Sequence, residues 1–117
     1  VVKDLDATTK AWSSLLGIGD WNVKDVGALK LAFGTLGSVE FELIEPVKDG
    51  TLWDDFLKAE GEGLHHLSGR VADVDAMVAK LVAEGGEVMV HTPGTFAYVR
   101  TGGPGSIVLE LSKTPSK

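Results

Sequence analysis

Two glutamates set among large apolar residues, and one histidine that follows another, are the side chains here best suited to chemistry. Glu42 sits in Val39-Glu40-Phe41-Glu42-Leu43 and Glu110 in Ile107-Val108-Leu109-Glu110-Leu111, while His66 lies in Gly63-Leu64-His65-His66-Leu67. A carboxylate among aliphatics is costly to bury unless it is paired or bound to a cation. Two such Glu with one His form an N/O ligand set suited to a divalent Zn, Ni, Co, Mn or Fe ion. Each residue also has a plainer explanation. A strand Glu on an antiparallel sheet commonly faces solvent, and a His beside a His is commonly a surface residue.

Their places in the chain link them. Val2-Lys3-Asp4-Leu5-Asp6-Ala7 recurs as Val71-Ala72-Asp73-Val74-Asp75-Ala76. Each copy leads into a helical stretch, then strand-like runs, then a last strand carrying its Glu. Asp4 is a good N-cap, and Leu5, Trp12, Leu15 and Leu16 fall on one helical face before Gly17. Asp73 caps the second helix, where Val74, Met77, Val78, Leu81 and Val82 follow the helical period up to Gly85-Gly86. Strands are expected at about 21–26, 29–36 and 38–44, and again at 87–91, 95–101 and 106–112, punctuated by glycine and proline. A short helix is expected near 52–59 and a further strand at 64–71.

The second half therefore reads β-α-β-β-β. The first reads α-β-β-β, with Val1-Val2 as the stub of a truncated first strand, and the counterpart of His66 falls ahead of Val1. This predicts an α+β domain over 1–117, with module 1 at about 1–45, a linker helix within 46–62 and module 2 at about 63–113. Alternation along strands puts His66, Ser68 and Arg70 on one face and His65, Leu67 and Gly69 on the other. Glu40, Glu42 and Ile44 share a face, as do Val108, Glu110 and Ser112. Glu40 is thus the competitor of Glu42. A pseudo-symmetric site is expected where the halves meet.

Composition narrows the partners. The chain has 117 residues, 44% hydrophobic and 24% charged, and carries a net charge of −6 without clustered Lys or Arg. That balance argues against nucleic acid. No run approaches the roughly 18 apolar residues of a membrane span, and no signal peptide is visible, so a cytoplasmic protein is expected. Without Cys, disulfides, thiolate catalysis and Cys-based metal sites are excluded. An acidic surface would repel anionic substrates unless a local cation offset it. Arg70 and Arg100 are the candidates to hold a carboxylate or phosphate, with a strand-end salt bridge as the plain alternative for each. Tyr98 is the third candidate for substrate binding. Trp12, Trp21, Trp53, Phe33 and Phe96 complete an aromatic set that suits a cleft lining, a core or a dimer contact. His91, which ends a strand beside Thr92-Pro93, reads as a solvated turn residue.

At Val2-Lys3-Asp4-Leu5-Asp6, Glu42-Leu43-Ile44-Glu45-Pro46, Gly61-Glu62-Gly63-Leu64-His65-His66-Leu67 and Val108-Leu109-Glu110-Leu111, the chain resembles the vicinal oxygen chelate superfamily. That is the glyoxalase, bleomycin-resistance and extradiol-dioxygenase group. The Gly-Leu-His-His and Glu-Leu-Ile-Glu-Pro pieces resemble its methylmalonyl-CoA epimerase-like branch. The resemblance implies two βαβββ modules whose curved mixed sheets form a cleft around one divalent metal (Co, Ni, Zn, Mn or Fe), commonly in homodimers. It implies Glu42, His66 and Glu110 as ligands, with His65 facing away and the family's first-strand His lacking.

In such sites the metal polarises a carbonyl and a carboxylate moves a proton, the roles implied here for Glu42 and Glu110. The family's epimerase base has no Glu to match it in Lys24-Asp25-Val26-Gly27. The expected function is a metal-dependent isomerase or lyase that enolises a small carbonyl or thioester substrate. The alternatives are a non-catalytic small-molecule binder of the bleomycin-resistance kind, or an extradiol dioxygenase, which would need Fe(II) with two His and one Glu.

Overall fold

The computed structural model describes residues 1–114, so the last three residues of the expected domain lie outside the described ones. It is an α+β protein in which the described residues form three helices and seven strands. They divide into two compact units, one from Val1 to His65 and one that begins at His66.

In the first unit, α1 (Leu5–Leu16) starts where the Asp4 carboxylate accepts the Ala7 N–H at 3.0 Å. It stops at Gly17, whose φ of 72° is a left-handed conformation open to glycine at little cost. The helix lies on an antiparallel meander of β1 (Asn22–Asp25), β2 (Leu29–Leu36) and β3 (Val39–Pro46). Leu5 packs there with Val2, Ala32 and Leu43, and Trp12 and Trp21 close around them. Ala32 is fully buried, because a small side chain lets the helix approach the sheet.

Val2 donates its N–H to the Ile44 carbonyl at 2.9 Å, which ties the segment ahead of α1 to β3. Gly34 leaves room for two large neighbours, since a Cβ there would lie 2.7 Å from both Ile18 and Trp21. The connecting α2 (Leu52–Glu60) is capped by Thr51, and its buried Asp54 pairs with Lys58 at 2.8 Å.

The second unit is a complete βαβββ module. It comprises β4 (Leu67–Val71), α3 (Val74–Ala83), β5 (Glu87–Thr92), β6 (Phe96–Arg100) and β7 (Val108–Lys113). The spatial order is β4-β7-β6-β5, with β4 parallel to β7 and the other pairs antiparallel. A parallel neighbour needs a crossover connection, which begins here with α3. Val74 and Val78 of that helix pack on Ala97, Val99 and Leu111, with Val71, Met77 and Leu81 at the margin.

The expected helices and the seven longer strands are present, shifted by a few residues at their ends, whereas Val1-Val2, expected as the stub of a first strand, forms no strand. The strand expected over 64–71 begins only at Leu67, because the ladder with β7 starts at Leu67 opposite Leu109. Leu15 is 78% exposed, and Leu16 and Val82 are exposed as well. Apolar period marks which residues a helix could bury, whereas contact with the sheet decides which it does.

His91 has a partner that its sequence neighbours do not show. It is an exposed residue within β5, and its Nε2 lies 2.7 Å from Asp75 Oδ1 in the first turn of α3. The Gly94 N–H donates to the same oxygen at 2.9 Å. The Gly94 bond first, and His91 second, hold the Asp75 carboxyl below its ordinary range.

Two outcomes follow from this packing. Gly34→Ala is expected to cost about 1–3 kcal/mol by overpacking against Ile18 and Trp21, read from urea unfolding. A carboxyl held low contributes stability above its ordinary range, and this is lost as pH falls through its folded value. Asp75→Asn should therefore lower the melting temperature at neutral pH and flatten the acid limb of a melting-temperature series.

Candidate functional site

In the second unit α3 covers the sheet face that carries Ala97, Val99 and Leu111. Alternation turns the residues between them, Tyr98 and Glu110, to the opposite face. The register sets Ser68 of β4 and Tyr98 of β6 opposite Glu110 on its two flanking strands. Ser68 Oγ donates to Glu110 Oε1 at 3.0 Å, and Tyr98 Oη donates to Oε2 at 2.7 Å. His66, just ahead of β4, brings its Nε2 to 3.6 Å from Oε2. Its ring meets Tyr98 edge-on with centroids 5.0 Å apart, and Phe96 meets Tyr98 from elsewhere at 5.1 Å.

His66 and Glu110 are shielded, their side chains 10% and 24% exposed, whereas Ser68 is exposed. Burial pushes the His66 imidazole below its ordinary pKa, and the Glu110 charge only partly opposes it. The ring is thus biased toward its neutral form, which is the form that ligates metals.

The first unit carries the matching carboxylate. Ala32 faces Leu43 and Phe33 faces Glu42 across β2 and β3, just as Ala97 faces Leu111 and Tyr98 faces Glu110. Register therefore equates Glu42 with Glu110. Glu42 is half-buried, whereas its competitor Glu40 is exposed opposite Thr35. Lys24 Nζ lies 5.5 Å from the centroid of the Phe33 ring. His65 belongs to this unit and meets Phe56 edge-on at 5.0 Å, so the adjacent histidines have different neighbours. Asp25 accepts the Gly27 N–H at 3.0 Å and so forms part of a turn.

Of the substrate-binding candidates, Tyr98 is 5% exposed and joined to Glu110. Arg70 and Arg100 are exposed, opposite Ser112 and Val108 on β7. Ser68 was the residue missing from the sequence reading of the site. Its parity with His66 was visible, but its place across from Glu110 depends on the parallel register.

The donor set can be tested against a divalent ion. His66 Nε2 and Glu110 Oε2 are one nitrogen and one oxygen donor, the types that Zn and its neighbours accept. Their 3.6 Å separation exceeds a hydrogen bond. Two donors on one tetrahedral ion stand roughly 3.4 Å apart, given metal–ligand distances of about 2.1 Å. The pair fits in type and spacing. Among the described residues, no three or more His, Cys, Asp or Glu side chains form a group that could hold a metal ion. No helix among them is long and apolar enough to cross a membrane.

A family model described as Glyoxalase/Bleomycin resistance protein/Dioxygenase superfamily matches residues 1–103. No curated protein matches the chain significantly. Among solved structures, the methylmalonyl-CoA epimerase of Mycobacterium tuberculosis aligns at 22% identity and TM-score 0.72, covering 98% of this chain and 83% of that one. A hypothetical protein of Bacillus halodurans C-125 aligns at 18% identity and TM-score 0.81, covering 99% and 90%. A Streptomyces coelicolor methylmalonyl-CoA epimerase variant in complex with 2-nitronate-propionyl-CoA aligns at 22% identity and TM-score 0.74, covering 98% and 92%. At these identities the likeness is one of fold.

Removing the acceptor tests the cluster itself. Glu110→Ala takes the carboxylate from the Ser68 and Tyr98 hydroxyls and is expected to cost roughly 1–3 kcal/mol in chemical denaturation.

Proposed function

We propose that this chain, which belongs to the Glyoxalase/Bleomycin resistance protein/Dioxygenase superfamily, is a metal-dependent isomerase or lyase of the glyoxalase or methylmalonyl-CoA epimerase type. Its substrate would be a small carbonyl compound or thioester with an acidic carbon beside the carbonyl. The observation that carries this reading is the shielded His66–Glu110 pair, and the epimerase-like fold supports it. His66 and Glu110 would hold the ion, and Glu42 is the register equivalent of Glu110 in the first unit. When bound, a Co, Ni, Zn, Mn or Fe ion supplies Lewis-acid polarisation of the substrate carbonyl.

The protein's own groups do the rest. A carboxylate takes the proton from the carbon beside the carbonyl and returns it, to the other face of that carbon or to its neighbour. Glu42 and Glu110 are the carboxylates that would carry this transfer. Arg70 and Arg100 would offset the acidic surface by holding a substrate carboxylate or phosphate. A homodimer is the assembly in keeping with the family.

One observation favours a second reading. Asp25 is the only carboxylate in Lys24-Asp25-Val26-Gly27, and it is engaged with the Gly27 N–H. It shares strand parity with Val23, the partner of Ala32, on the α1 side of the sheet. A chain without a second base would suit a non-catalytic binder that sequesters a small planar molecule.

Metal analysis of the purified protein separates the readings. Stoichiometric divalent metal in the wild type, lost in Glu110→Ala, is the expected result. Metal-free protein that retains an aromatic ligand favours sequestration. With metal present, a 2-substituted acyl-CoA thioester incubated in D2O should take up deuterium at its acidic carbon. Glu42→Gln should slow that uptake by about 100-fold or more.

A further inference from the structure

We infer that Ser68 and Tyr98 are positioning residues that hold the Glu110 carboxylate, one hydroxyl on each oxygen, in the orientation that presents it beside His66. This rests on the reading of His66 and Glu110 as metal ligands. A glutamate side chain rotates about three bonds, and a carboxylate that must meet an ion at one angle gains from losing that freedom beforehand. Ser68 and Tyr98 restrict it from opposite sides. One stands on β4 and the other on β6, each directly across from Glu110 in its ladder. Their bonds, 3.0 Å to Oε1 and 2.7 Å to Oε2, leave lone pairs on Oε2 toward His66 Nε2 at 3.6 Å.

The repeat supplies an internal control for the phenol. At the equivalent place in the first unit, Phe33 stands opposite Glu42. An aromatic ring without a hydroxyl is therefore compatible with this sheet position. The Tyr98 oxygen is not needed to fill space, and Tyr98→Phe should fold. The ring itself is held by edge contacts with His66 and Phe96, which the substitution keeps. A second-sphere hydroxyl of this kind typically changes metal affinity by 10–100-fold.

The test is a Co2+ titration of metal-free protein, followed by calorimetry and by the visible absorption of bound cobalt, with circular dichroism to confirm folding. Tyr98→Phe and Ser68→Ala are each expected to weaken Co2+ binding about tenfold or more and to shift the cobalt bands. Ser68→Thr, which keeps the hydroxyl, should restore both. Wild-type affinity and unshifted bands in Tyr98→Phe and Ser68→Ala would overturn this inference and leave the ligand reading standing. A wild-type protein that takes up no Co2+ would overturn the ligand reading and this inference with it.

Discussion

The carboxylate of Glu110 has to be satisfied inside a strand whose neighbours, Leu109 and Leu111, are apolar. A strand cannot bury one side chain without turning the next to the opposite face. The same β7 backbone that drives Leu111 into the core under α3 must therefore display Glu110 on the other side. Shielded to the extent seen here, the charge needs donors. They come from the two strands that flank β7. One of these, β4, is its neighbour only because the module places a parallel strand there. The hydroxyl of Ser68 and the imidazole of His66 reach Glu110 as a result of βαβββ topology, so the chemistry of the second unit rests on its strand order.

The two copies of the repeat share this frame and differ in what it carries. Asp4 and Asp73 cap equivalent helices, and Ala32 and Ala97 are the fully buried small residues on the sheet face beneath them. Beside that shared core, a phenol stands opposite Glu110 whereas a phenyl ring with Lys24 above it stands opposite Glu42. The core positions are constrained by packing. On the opposite face the two carboxylates meet different residues across the ladder, Tyr98 for Glu110 and Phe33 for Glu42.

Particular residues show how far the sequence could be read. Asp73 followed by Val74, Met77, Val78 and Leu81 announced α3, because capping and helical period are local properties. The alternation that puts Glu42 and Glu110 at corresponding places was equally local. His91 is exposed near the end of β5, as read, but its partner Asp75 went unseen because it lies on another element and nothing in their spacing pairs them. Leu15 looked like a core residue because the apolar stripe of α1 is longer than the contact it makes. Ser68 went unremarked as a partner of Glu110 for a similar reason: strand pairing brings together residues far apart in the chain.

The amino-acid order by itself determined the repeat, the helix ends, the alternation of the strands and the resemblance that marks the family. All of these follow from interactions among residues a few places apart, or from motif identity. Which hydroxyl meets which carboxylate oxygen, which strands stand across from Glu110, and which aliphatics stay in water were decided only by the tertiary structure. Those outcomes depend on strand register and on the area one element presents to another, and neither quantity is encoded in any single stretch of the chain.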